Sequence, residues 1–331
     1  MAPRIVAATS MGISVADEAD GWRARAVLRA HDVRSLAAAR TFPPRLYAGT
    51  QGDGVFVSED GGTSWQAAGL AGEVVKALAV DRNGKVLAAT KPPALFASED
   101  TGATWTELPA LRRMRRWYWW QPAERPHTPY VTAIAGSPSR PETLLVGIEG
   151  FRILRSEDGG LSWTRIRKGT ALDAHAIAFH AADGDRAYEG AGLGAATSSD
   201  GGRTWARAKP GLDPRYVMTI AVDPADPDLW YAGAAPMRAA HTANSRACIV
   251  RRQGAIWTRL TGGLPSELEH LPSALVCPEP NVVYAGLRDG AVWRSLDRGD
   301  TWSRLPVELQ GLHALLVIDD APSRRAGALR S

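Results

Sequence analysis

The chain has 331 residues, 45% of them hydrophobic and 22% charged, with 39 Lys and Arg against 35 Asp and Glu for a net charge of +4. That balance excludes a disordered or fibrous chain, and no apolar run approaches the ~18 residues that a bilayer span needs, so no membrane span is expected. Two cysteines, Cys248 and Cys277, make no disulfide framework, and the opening Met1-Ala2-Pro3-Arg4-Ile5-Val6 lacks the apolar core of a leader, so free thiols and a cytoplasmic location are expected.

From the N-terminus, residues 12–15, 33–38, 46–49 and 55–57 alternate apolar with small or polar side chains, as half-buried antiparallel strands do. The last of them runs into Ser58-Glu59-Asp60-Gly61-Gly62-Thr63-Ser64-Trp65. The same chemistry returns at 98–105, 156–163, 198–205 and 295–302, always with Ser seven residues before the Trp, Asp five before, Gly three before and Ser or Thr one before. Fixed offsets of this kind predict a hairpin turn. The carboxylate and hydroxyls bond within the loop, Gly supplies a positive φ, and the Trp ring is buried between sheets. Five copies make the Asp a turn former rather than a metal ligand or an acid catalyst.

Two weaker copies fall into register. Asp17 stands five before Trp22, with Ala19 in the Gly position and Val15 in the Ser position, and Gly254 stands three before Trp257, with Arg252 in place of the Asp. The Trp-to-Trp steps are then 43, 40, 58, 42, 52 and 45 residues. A period in the forties filled with strand text predicts an all-β, seven-bladed β-propeller of four-stranded antiparallel blades. Residues 75–80, 131–135, 175–179, 217–222 and 273–277 read as further inner strands. The first blade lacks one, whereas residues 313–318 repeat the inner-strand pattern without a blade. The C-terminal strand is therefore expected to pair into the N-terminal blade and close the ring, which removes exposed sheet edges. One domain over residues 1–320 with a disordered tail at 321–331 follows.

The quoted boxes resemble the Asp-box, or BNR, repeat, and the chain resembles seven-bladed propellers of the sialidase-like superfamily over residues 4–318. That superfamily includes sialidases, other glycoside hydrolases, the luminal domain of sortilin and photosystem II assembly factors. The resemblance implies the fold and leaves the activity open. Sialidases carry a Phe-Arg-Ile-Pro motif in the first blade, an arginine triad, a Tyr nucleophile paired with Glu, and an Asp acid/base. Here Phe151-Arg152-Ile153-Leu154 is similar, but it lacks the Pro and sits in the fourth blade, so no catalytic residue is carried over.

Strand order puts the boxes on one face of the ring, and both long steps insert residues on the other. The first insertion, 111–130, holds Arg112, Arg115, Arg116, Trp117, Trp119, Trp120, His127 and Tyr130. Cations beside aromatics can stack on a sugar or grip an anion, or the segment can plug the channel. The second insertion, 234–247, contains His241 and reads as a lid or a tolerated loop. With Arg152, Arg215 and Arg288 these residues are the ligand-binding candidates. The catalytic candidates are Glu149, Glu189, Asp173, His175 and Tyr216. Glu189 occupies a slot that is Ala or Val in the other blades, so a buried carboxylate is expected, with either a raised pKa or a partner such as His175 or Arg215. Glu149 with Glu189 would suit glycoside hydrolysis at the right separation. The histidines show no local ligand spacing, so neither a metal nor a cofactor is expected. The expected function is binding of a small anionic or glycan ligand, or of a protein partner, with a glycan-active hydrolase as the alternative. A nucleic-acid partner is not expected.

Overall fold

The computed structural model describes residues 2–117, 129–208, 211–242 and 244–319, with the backbone alone for 115–117. The expected tail at 321–331 lies outside them. The described chain forms seven four-stranded antiparallel sheets. In the second blade these are Val33–Ala38, Leu46–Thr50, Val55–Ser58 and Gln66–Ala67, from the channel outward. The other blades repeat that order. In the first blade the innermost strand is Leu312–Asp319, paired antiparallel to Pro3–Thr9, so the two ends of the chain close the ring as the repeat count requires. Seven apolar clusters fill the seven junctions between adjacent blades. Each sheet therefore buries both faces, and the second strands read as unbroken runs of buried residues.

The small residue that ends most second strands has a packing cause. An ideal Cβ on Gly49 would stand 2.6 Å from Val75 Cγ1 of the next blade, so any larger residue would push the two blades apart.

The five boxes close as turns. Asp60 Oδ1 accepts from the Ser58 hydroxyl at 2.8 Å and from the Thr63 and Ser64 amides at 2.9 Å, while Oδ2 accepts from the Ser64 hydroxyl at 2.6 Å. Asp100, Asp158, Asp200 and Asp297 hold their turns in the same way. Burial works against ionisation of Asp60, but these donors outweigh it and hold the carboxyl below the usual carboxylate range. At the Gly three before the Trp, φ lies between 81° and 98° in all five copies.

Outer strands in the five boxed blades start one residue after the Trp, as at Gln66 and Thr106, because the Trp backbone still belongs to the turn. The two weak copies depart further. Asp17 leaves the turn and pairs with Arg4 at 2.6 Å and Arg25 at 3.2 Å, and a 3-10 turn at Glu18–Asp20 replaces the box. In the sixth blade a tight hairpin lets the outer strand Ile256–Arg259 begin before Trp257, and Arg252 packs over the Trp230 and Trp257 rings. One element is absent from the all-β expectation, the helix Ala110–Trp117 at the start of the first insertion. It buries Leu111 against the cluster between the third and fourth blades.

Candidate functional site

Every inner strand carries one β-bulge near its start. The bulged residue escapes the pleat, so its side chain is re-aimed away from the blade junction. The seven bulged residues are His313, Arg34, Lys76, Thr132, His175, Met218 and Ser273, in ring order, and all of them line the central channel, a cavity of about 950 Å³. Strand starts lie on the face opposite the Asp turns, so this ring sits at the mouth of the channel on that face.

Two chemical halves meet there. On the first three blades, Arg34 pairs with Asp32, and His313 Nε2 lies 3.4 Å from the second oxygen of the same carboxylate. Lys76 and Lys91 both stand over the Tyr130 ring, at 4.8 Å and 5.3 Å from its centroid. Burial and the like charges of Arg34 and Lys91 push the Lys76 ammonium below the usual lysine range. Burial, together with Arg34, Arg288 and Lys76, pushes His313 down to about 4 despite Asp32.

On the fifth and sixth blades the groups satisfy one another. Asp173 Oδ2 meets His175 Nε2 at 3.0 Å, and His175 Nδ1 meets the Val217 carbonyl at 2.8 Å. The Tyr216 hydroxyl lies 2.9 Å from His241 Nε2 and 3.3 Å from His175 Nε2, which ties the second insertion to the channel wall. Asp173 takes a left-handed φ of 65° that aims its carboxylate inward, where the Gly150 amide donates to it at 2.8 Å. Burial raises the Asp173 carboxyl, but the His175 and Gly150 bonds win and hold it below the usual range. Burial and the Asp173 charge raise the Tyr216 hydroxyl. Tyr130 is raised by burial and by Glu149, to which its hydroxyl hydrogen-bonds.

The structure thus brings Tyr130, Asp173, His175, Tyr216, His241 and Arg288 together at or beside the mouth, with Glu149 behind Tyr130. It does not bring Glu189 there. That side chain is fully buried, does not line the channel, and takes the Ala171 amide at 2.6 Å rather than His175 or Arg215. His175 is already committed to Asp173 and Val217, and Arg215 is exposed. Burial pushes Glu189 up to about 8 against the Ala171 bond and the Arg207 and Arg152 charges. Arg152 donates to the Thr170 carbonyl at 2.7 Å, and Arg112 pairs with Glu107 at 2.7 Å; neither lines the channel. Trp119, Trp120 and His127 lie outside the described residues, as do the side chains of Arg115, Arg116 and Trp117. Among the described residues no group of three or more His, Cys, Asp or Glu is placed to hold a metal ion, and no helix is long and apolar enough to cross a membrane.

Asp32, Arg34 and Lys76 escaped the sequence reading, although a signal for the bulged pair existed. Val33-Arg34-Ser35, Val75-Lys76-Ala77, Val131-Thr132-Ala133, Ala174-His175-Ala176 and Leu312-His313-Ala314 all place a variable residue between an apolar and a small one. That triplet is the sequence trace of the bulge.

No family model matches the chain, and no curated protein matches it either. Solved structures do. An ancestral GH74 enzyme gives a TM-score of 0.60 at 19% identity, covering 82% of this chain and 38% of that one. The GH74 xyloglucanase from Xanthomonas campestris gives 0.61 at 19%, over 82% of this chain and 45% of that one. YCF48 bound to D1 peptide gives 0.58 at 14%, over 91% of this chain and 83% of that one. This chain therefore spans less than half the length of the two GH74 structures. At such identities the likeness is one of fold. The class is the seven-bladed β-propeller, a fold these enzymes share with YCF48.

Proposed function

We propose that this propeller binds a ligand or partner through the face opposite its Asp turns, at the mouth of the central channel. One observation carries the reading: all seven inner strands use a bulge to aim a side chain into the same cavity, and these side chains differ from blade to blade while the scaffold repeats. The resemblance of the turns to the Asp-box repeat and the fold shared with YCF48 bound to D1 peptide agree with a binding role. A small anionic or glycan ligand suits the cations and tyrosines, and a protein partner suits the exposed rim. Free Cys248 and Cys277 fit a reducing, cytoplasmic setting.

Occlusion tests this reading. Ser273→Trp places a large ring at a bulge facing the channel, and Thr63→Trp places one on an exposed Asp turn. Calorimetry against a panel of acidic sugars, neutral oligosaccharides and peptides is expected to find binding that Ser273→Trp abolishes and Thr63→Trp leaves intact. Loss in Thr63→Trp alone overturns it.

A glycan-active hydrolase is the second reading, favoured by the Asp173–His175 pair and the Tyr130–Glu149 contact at one mouth and by the fold shared with the xyloglucanase. Turnover of a glycoside substrate that survives both Glu149→Gln and Asp173→Asn removes it.

A further inference from the structure

We propose that Arg34, Lys76 and His313 form a seat for a small doubly charged oxyanion at the channel mouth. The inference rests on the channel-mouth reading above and specifies the ligand it takes.

These residues hold three consecutive bulges of the ring, on the first, second and third blades. Among the described residues, Asp32 is the carboxylate in ion-pair contact with this arc, and Arg34 and His313 share it. Lys76 makes no ion pair among the described residues, though Asp32 and Glu149 attract it at longer range, and its contact is the face of Tyr130, which Lys91 also occupies. Arg34 Nε is buried without an acceptor. Partly buried cations that repel one another cost stability unless something compensates them. Across the ring the picture reverses, because His175 already has Asp173 and a backbone carbonyl. An oxyanion in front of Lys76 would meet an ammonium, a guanidinium and an imidazole from three blades. Such convergence is how proteins hold phosphate and carboxylate groups.

His313 adds a signature. It faces Arg34 and Asp32 of the second blade, Lys76 of the third and Arg288 of the seventh. Burial and the three cations keep its ring neutral near pH 7. A bound dianion would favour the imidazolium, so binding takes up a proton and tightens as pH falls.

The test is calorimetric titration of the full chain with sodium sulfate, inorganic phosphate and succinate, with ionic strength held by chloride. Saturable binding is expected for at least one of them, weakened at least about tenfold in Lys76→Met and Arg34→Gln and unchanged in Arg203→Ala on the turn face. Sulfate keeps its charge between about pH 8 and about pH 6, so tightening over that range reports the protein, and His313→Gln is expected to bind while losing it. Preference for phosphate assigns the group to a phosphate monoester, and preference for succinate to a dicarboxylate. Lack of saturable binding by all three, or equal binding by Lys76→Met, overturns the seat. If Ser273→Trp blocks another ligand while no oxyanion binds, the seat fails and the channel reading stands. If oxyanions bind Ser273→Trp as they bind the native chain but Lys76→Met poorly, the seat stands and the binding at the mouth does not reach Ser273.

Discussion

The two faces of the ring are built from the same hairpins and differ in how their polar groups are satisfied. On the turn face, Asp60 and its four counterparts accept from hydroxyls and amides inside their own loops, and exposed pairs such as Arg203 with Glu157 finish at the rim. At the channel mouth, Lys76 and Lys91 share one tyrosine, and a single carboxylate serves Arg34 and His313. Groups that close on themselves hold a fold together and have little left for a ligand. Groups that a fold keeps close, partly buried and under-compensated mark where it exchanges stability for binding. On this comparison, turn-face substitutions lower stability without touching binding, and mouth substitutions do the reverse.

The largest effect belongs to neither face and sets the scale. Trp230 is fully buried, 5.5 Å from Tyr188 and 4.7 Å from Trp257 between ring centroids. Trp230→Ala is expected to cost about 3–5 kcal/mol in denaturant unfolding, because the junction between the fifth and sixth blades cannot collapse around the void.

Glu189 comes next and has a distinctive pH dependence. Its carboxyl is raised in the folded chain to about 8, above the unfolded value of 4.5. Its contribution is thus fully present below the unfolded value and is lost as pH rises through the folded one. Thermal unfolding of Glu189→Gln is expected to lack that decline and to lie above the native chain at alkaline pH. Identical pH profiles for the two would show that the carboxylate has a partner in solution.

Asp60→Ala should lower stability by about 1–2 kcal/mol, since two amides and two hydroxyls lose their acceptor. The lowered carboxyls of the turns act in the opposite sense to Glu189. Their contribution is present above the unfolded value of 3.8 and fades as pH falls through the folded one, about 2 at Asp100. Acid unfolding of Asp60→Ala should therefore be shallower than that of the native chain.

Smallest on stability, and sharpest for the comparison, is Lys76→Met. Removing a partly buried ammonium for which burial, Arg34 and Lys91 outweigh the attraction of Asp32 and Glu149 should leave the melting temperature unchanged or slightly raised. A clear fall would mean that the ammonium is compensated in the free protein and that the mouth is as self-satisfied as the turns.

Much of this was legible in the sequence. Fixed spacing from Ser58 to Trp65 counted the blades because hydrogen-bond geometry within eight residues is a local property, and the orphan strand at 313–318 announced the closure. The site was legible in part. Asp173, His175, Tyr216 and His241 are candidates in the sequence and do meet, whereas Glu189 is buried and raised as its slot implies but lies away from the mouth with neither His175 nor Arg215 as its partner. A carboxylate in an apolar slot signals burial, while its partner, the Ala171 amide, belongs to a link whose path no local rule gives.

The sequence by itself determined the fold, the number of blades and the face on which the repeats stop resembling one another, because each follows from contacts within one repeat. Only the tertiary structure decided which side chains share the channel. That depends on seven bulges, each shifting the pleat by one residue, and on ring closure setting His313 beside Arg34 from opposite ends of the chain.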